Sequence, residues 1–180
     1  MELKRLKREV LYTGKVFDLI VDQVEYPTGN KGMREIARHP GGSVVVPVLD
    51  DRQVIMVQQL RYPLGKHIME LPAGKLNKDE DPEVAARREL EEETGWLAST
   101  WEKLTSIYTT PGFCDEELHI FLATGMKQSR GGHRREEGEY SMTVHTFPLV
   151  DAVDMVVRGE WKDAKTIVGL LLAEQRLNRT

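Results

Sequence analysis

The stretch GKLNKDEDPEVAARRELEEETGW, residues 74–96, packs eight carboxylates and four basic side chains into 23 positions. Its punctuation predicts a helix: Asp81 suits the cap, Pro82 the first helical position, and Gly95 the residue after the last turn, giving a span from Pro82 to Thr94. On that helix Glu89 and Glu93 stand one turn apart with Glu92 beside them, so three like charges project from one surface and repel. Two readings are open. The run is a solvated helix face, as such runs commonly are, or it is a platform for a hard divalent cation, which takes oxygen ligands and keeps waters that substrate phosphates replace.

Working outward, residues 1–39 read as a small strand-rich element, with β-rich sequence from Leu11 to Tyr26, the turn PTGNKG and a returning strand MREIARH. Residues 40–180 read as the main domain. There SVVVPVL and QVIMVQQL flank Asp50-Asp51-Arg52 as a buried hairpin, and HIMELPAG is a short strand entering the charged stretch. WEKLTSIYTT and ELHIFLAT read as strands around the loop PGFCDE, KQSRGGHRREEGEY as a long polar loop, and SMTVHTF as a further strand. Two helices follow, about Leu149–Val157 and Ala164–Arg176, the second capped by Asp163. Strands on both sides of a central helix, with helices at the end, predict an α/β (α+β) sandwich, a mixed sheet packed between helices.

Composition narrows the functional classes. A net charge of -4 offers no broad basic surface, so a nucleic-acid tract is not an expected ligand. No apolar run approaches the roughly 18 to 20 residues that span a bilayer, and MELKRLKREV lacks a signal peptide's apolar core, which together point to the cytoplasm. Cys114 is the only cysteine, so no intrachain disulfide forms; its neighbour Asp115 does nothing to activate it as a nucleophile. The five histidines show no metal-like spacing.

Taken whole, the opening stretch resembles the Nudix box, G-x5-E-x7-R-E-U-x-E-E-x-G-U with U a bulky aliphatic residue. Gly74, Glu80, Arg88, Glu89, Leu90, Glu92, Glu93 and Gly95 fall on it, and only Trp96 departs, at the last position. The resemblance implies the Nudix fold and Mg2+, with Mn2+ as the alternative. It further implies that Glu89 and Glu93 hold metal together with Glu92 and the backbone carbonyl of Ala73, and that Glu92 and Glu93 belong to the catalytic set. Gly74, Glu80, Arg88 and Gly95 are then structural. The second reading of the acidic face is favoured: a pyrophosphate repels carboxylates unless cations bridge them, and such cations also lower the pKa of water.

Outside the box the chain resembles the ADP-ribose pyrophosphatase branch of the Nudix hydrolases. Pro111 lies 16 residues after Gly95, in the setting TTPGFCDEELHIFLA, and QQLRYPLGKHIMELPAGK and GEWKDAKTIVGLLLA are also similar. This implies cleavage of ADP-ribose to AMP and ribose 5-phosphate. The broader nucleoside-diphosphate-sugar hydrolases, acting for instance on GDP-mannose or ADP-glucose, are the nearest alternative, and a non-catalytic nucleotide-binding module is a third. By the same resemblance the general base comes from the acidic loop EEGEYSMTV, with Glu139 first and Glu137 second; an exposed loop made acidic for solubility is the rival reading. Arg61 is placed to grip the diphosphate or to pair with a nearby acid. Glu70 contacts substrate or metal-bound water, or makes a structural salt bridge. The resemblance also implies that the N-terminal element helps form a domain-swapped homodimer, in which Phe17, Arg34, Glu35 and Arg38 meet the nucleoside. The competing reading puts Phe17 in the sheet core and the charged three on a hairpin surface.

Overall fold

The computed structural model describes residues 2–132 and 141–179, and the chain divides into two compact units. The first is Met1–Gly41 together with Tyr108–Glu117. Its antiparallel sheet has the order β1 (Lys4–Thr13), β2 (Asp18–Glu25), β3 (Lys31–Arg38). Strand β2 alternates, burying Ile20, Asp22 and Val24 on one face. The buried Asp22 is held by Arg8 through two hydrogen bonds of 2.8 and 2.7 Å, and this pairing keeps its carboxyl below the usual carboxylate range. Residues 108–117 join this unit through β3: the Ala37 N–H donates to the Phe113 carbonyl (2.8 Å) and the His39 N–H to Asp115 Oδ1 (2.7 Å).

Strand β1 begins at Lys4, seven residues before the β-rich stretch that the sequence suggests from Leu11. All ten of its residues are exposed, so no burial pattern is written into its side chains to mark it.

The second unit spans Gly42–Ile107 and Leu118–Thr180. It contains β4 (Gly42–Pro47), β5 (Gln53–Arg61), β6 (Lys66–Glu70), β7 (Ala73–Lys75), α1 (Pro82–Thr94), β8 (Trp96–Tyr108), β9 (Glu117–Gln128), β10 (Thr143–Pro148), α2 (Leu149–Val157) and α3 (Ala164–Leu177). A mixed four-stranded sheet runs β7-β4-β9-β8, with β4 antiparallel to β7 and parallel to β9; an antiparallel three-stranded sheet runs β10-β5-β6.

The expected hairpin of β4 and β5 is therefore corrected. These consecutive strands lie in different sheets, joined only by a bridge between Val48 and Val54, and the chain turns between them at Arg52, which has φ +64°. An unbroken apolar run marks a strand as buried on both faces, but it does not name its neighbour.

Strand β4 is buried at every position because it sits between two layers. Val44 and Val46 pack in one core cluster with Ile120, Leu122, Leu149 and Leu170, whereas Val45 packs in another with Ala86, Leu90, Phe121 and Ala123. Since side chains of a strand alternate in direction, helices α2 and α3 cover one face of the sheet and α1 the other. Truncation of Leu90 to Ala, at a fully buried position of α1, is expected to cost about 2–5 kcal/mol. The control Val84→Ala, at a position 56% exposed on the same helix, should stay within about 0.5 kcal/mol. Denaturant unfolding of both variants checks this, and equal losses would contradict the one-sided burial of α1.

Candidate active site

Helix α1 is delimited as its sequence dictates. Asp81 Oδ1 accepts from the N–H groups of Glu83 (2.9 Å) and Val84 (3.2 Å), Pro82 occupies the first turn, and Gly95 ends the helix at φ +74° with its N–H on the Glu91 carbonyl. The buried residues fall on two adjacent stripes, each stepping along the helix one turn at a time: Ala86, Leu90 and Thr94, and beside them Ala85, Glu89 and Glu93. Two carboxylates thus replace core side chains at the edge of an apolar face.

Strand β7 lies directly against this charged stripe. A Cβ on Gly74 would stand 1.9 Å from the Glu89 carboxyl, so any side chain at this position would push that carboxyl group out of its place. One residue earlier, the Ala73 N–H donates to Glu93 Oε2 at 3.1 Å.

The positive charge that balances the stripe is Arg88. Its Nε and Nη2 donate to the two oxygens of Glu80 (3.0 and 3.1 Å), Nη2 also reaches the Lys75 carbonyl (3.2 Å), and Nη1 donates to Glu89 (2.6 Å) and Glu92 (3.0 Å). Glu80 in turn accepts from the Asn77 N–H at 2.8 Å, which fixes the loop ahead of the helix. The hydrogen bond from Arg88, supported by Asn77, holds the Glu80 carboxyl below the usual carboxylate range, and the three glutamates raise Arg88. With Arg88 between them, no three carboxylate, imidazole or thiol groups among the described residues converge at metal-binding geometry. The donor set of Glu89, Glu92, Glu93 and the Ala73 backbone is nonetheless all oxygen, the chemistry a hard divalent cation takes.

Arg61 and Glu70 sit in one ion pair. Arg61 Nε and Nη2 each donate to Glu70 at 2.6 Å, and Glu70 is fully buried while 42% of the Arg61 side chain is exposed. Lys165 donates to the same carboxylate from α3. Although burial pushes the Glu70 carboxyl up, Arg61 and Lys165 together outweigh it and the carboxyl lies below its ordinary value. This is the pairing alternative the sequence left open for both residues. The sequence reading did not single out Lys165. Its signal is a cation at the second position of a helix, where the macrodipole disfavours positive charge unless an acid receives it.

In the first unit, Phe17 is 41% exposed and tilts against Tyr12 at 6.4 Å, so it is not sheet core. Arg34 donates to the Tyr26 hydroxyl at 2.5 Å, and Glu35 and Arg38 are exposed on β3. Glu137 and Glu139 lie outside the described residues.

Comparison with known proteins bears on these arrangements. The family model described as NUDIX domain matches residues 39–167. An ADP-ribose pyrophosphatase of Bacillus subtilis (strain 168) is 45% identical over 166 residues, covering 92% of this chain and 89% of the relative. A methanol dehydrogenase activator of Bacillus methanolicus is 40% identical over 169 residues, covering 94% and 91%. Among solved structures, an ADP compounds hydrolase superposes with a TM-score of 0.85 at 18% identity, covering 99% of this chain and 95% of that one, which shows the shared α+β fold.

Because Glu80 is held low in the folded state, its contribution to stability is complete above the unfolded carboxylate pKa and is lost as pH falls through the folded value. Glu80→Gln is expected to be less stable than wild type at neutral pH, with the gap narrowing below the usual carboxylate range. Urea unfolding at stepwise lower pH reads this, and a gap that widened on acidification would contradict the Arg88 assignment.

Proposed function

The chain belongs to the NUDIX domain family and is a Nudix pyrophosphohydrolase, and we propose that it hydrolyses the pyrophosphate of ADP-ribose to AMP and ribose 5-phosphate with Mg2+, or Mn2+ in its place. The observation that carries this reading is the pair of buried carboxylates, Glu89 and Glu93, beside a glycine whose missing side chain leaves room for the Glu89 carboxyl group. The choice of ADP-ribose is supported by the Bacillus subtilis relative.

Glu89, Glu92, Glu93 and the Ala73 carbonyl would hold the cation. When bound, it supplies the positive charge that lets an anionic diphosphate approach these carboxylates, and it acidifies water. Arg88 keeps Glu89 and Glu92 on one side of α1 and, through Glu80, ties the preceding loop to the helix. Glu139, with Glu137 second, takes the proton of the attacking water on a carboxylate oxygen. A new P–O bond forms to that water, and the bridging P–O bond breaks, leaving two monophosphates. Arg61 meets the diphosphate from its exposed side, and Lys165 remains to hold Glu70.

The proposal includes a homodimer, with Phe17, Arg34, Glu35 and Arg38 contacting the nucleoside. It is supported by β1, an edge strand exposed along its whole length that carries Leu6, Val10, Leu11 and Tyr12. The single cysteine fits a cytoplasmic site of action.

The test is turnover of ADP-ribose with and without Mg2+, with products resolved by chromatography. AMP is expected only with metal, and Glu93→Gln should lose on the order of 100-fold in kcat or more. Glu139→Gln and Glu137→Gln identify the base, and light scattering should return twice the 20.5 kDa chain mass. Turnover of GDP-mannose or ADP-glucose in preference would move the assignment to the broader nucleotide-sugar hydrolases; binding without turnover would overturn it.

A further inference from the structure

The segment Glu70–Ala73 runs from the last residue of β6 through Leu71 and Pro72, which belong to no element, to the first residue of β7, and all four of its residues are held, each from outside the segment. The Glu70 carboxylate receives Arg61 from β5 and Lys165 from α3. The Leu71 N–H donates to Thr166 Oγ1 at 2.9 Å, again on α3. The Pro72 carbonyl accepts from the Val45 N–H of β4 at 2.9 Å, and the Ala73 N–H donates to Glu93 of α1 at 3.1 Å.

We infer that Lys165, with Thr166 beside it, is a positioning residue that sets this segment, and through it the Ala73 backbone, for the metal-dependent hydrolysis proposed above, on which the inference rests. Lys165 is 8% exposed and Thr166 fully buried. Both are organised by Asp163, whose Oδ2 accepts from Lys165 Nζ (3.0 Å), Thr166 Oγ1 (2.6 Å) and the Thr166 N–H (3.1 Å). Two cations, Arg61 and Lys165, thus meet two anions, Glu70 and Asp163. A buried lysine so matched is costly to desolvate and unfavourable at a helix N-terminus, and its place is explained by what it fastens. Arg61 donates to both Glu70 oxygens but comes from β5 and reaches solvent, whereas Lys165 adds a buried second cation on Oε2 and is the contact that ties this carboxylate to α3. Loosening the segment displaces the Ala73 carbonyl, and small displacements of an orienting group are expensive in rate.

The test uses the full chain with Lys165→Met, Lys165→Arg and Thr166→Val. In metal-free protein, amide exchange at Leu71 and Ala73 should speed by on the order of 10-fold in Lys165→Met, with Ile120 and Leu122 of the core unchanged. In the same variant, the Mg2+ concentration for half-maximal hydrolysis should rise and kcat fall by on the order of 10-fold or more, with KM for ADP-ribose little changed. Lys165→Arg should recover part of both. If Lys165→Met does not fold, Thr166→Val, which removes the acceptor for Leu71, must give the same pattern. A change in exchange or melting temperature with kcat and metal requirement intact makes Lys165 structural only; a rise in KM alone makes it a substrate contact. Either overturns the inference. A wild-type protein that cuts no ADP-ribose defeats the functional reading instead, and the exchange measurement then decides alone whether Lys165 sets the segment.

Discussion

Two carboxyl side chains, Glu89 and Glu93, occupy positions on α1 where a helix packed on a sheet ordinarily places apolar groups. Burying carboxylates costs several kcal/mol per ion unless positive charge and hydrogen bonds compensate, and much of the surrounding architecture is that compensation. Arg88 spans the turn to reach Glu80, Glu89 and Glu92, the Ala73 amide donates to Glu93, and Gly74 gives up its side chain so that the strand backbone can lie beside Glu89. The same helix drives Leu90 and Ala86 into the core beside Val45 and Phe121, so the charged stripe inherits the rigidity of the packed layer.

That rigidity reaches the opposite face of the sheet through β4 and β9, whose side chains alternate between the two core clusters. Val45 packs toward α1, while Val44 and Val46 pack in the cluster that contains Leu170 of α3. Gly169 lies where a Cβ would meet Leu71 at 2.5 Å, so α3 seats itself closely on the segment that leads to Ala73. The helices on the two faces therefore share one object, the run from Glu70 to Gly74, and a site on one face depends on polar contacts made from the other.

Local rules are legible in the sequence where the information is local. Asp81, Pro82 and Gly95 delimit α1 at the residues expected, and Leu149–Val157 is found as read, because caps and turn glycines act within a few residues. The spacing of Gly74, Glu80, Arg88, Glu89, Glu92 and Glu93 was readable for the same reason, since helix periodicity converts spacing into a shared face. Pairing between distant segments was not. Nothing in SVVVPVL names β9 as its parallel neighbour, and nothing in KRLKREV, the part of β1 before Leu11, marks a strand that buries none of its residues. The partners of Glu70 were equally hidden: Lys165 lies 95 residues away, and a lysine in a helix's first turn gives only the indirect hint that an acid must be near.

Whether the α1 stripe is a cation platform can be read by titrating Mn2+ into the protein without substrate and following free Mn2+ by electron paramagnetic resonance. Wild type should bind Mn2+, and Glu89→Gln or Glu93→Gln should weaken that binding by on the order of 10-fold or more while the protein stays folded. Equal Mn2+ affinity in wild type and both variants would show that the stripe does not hold the cation.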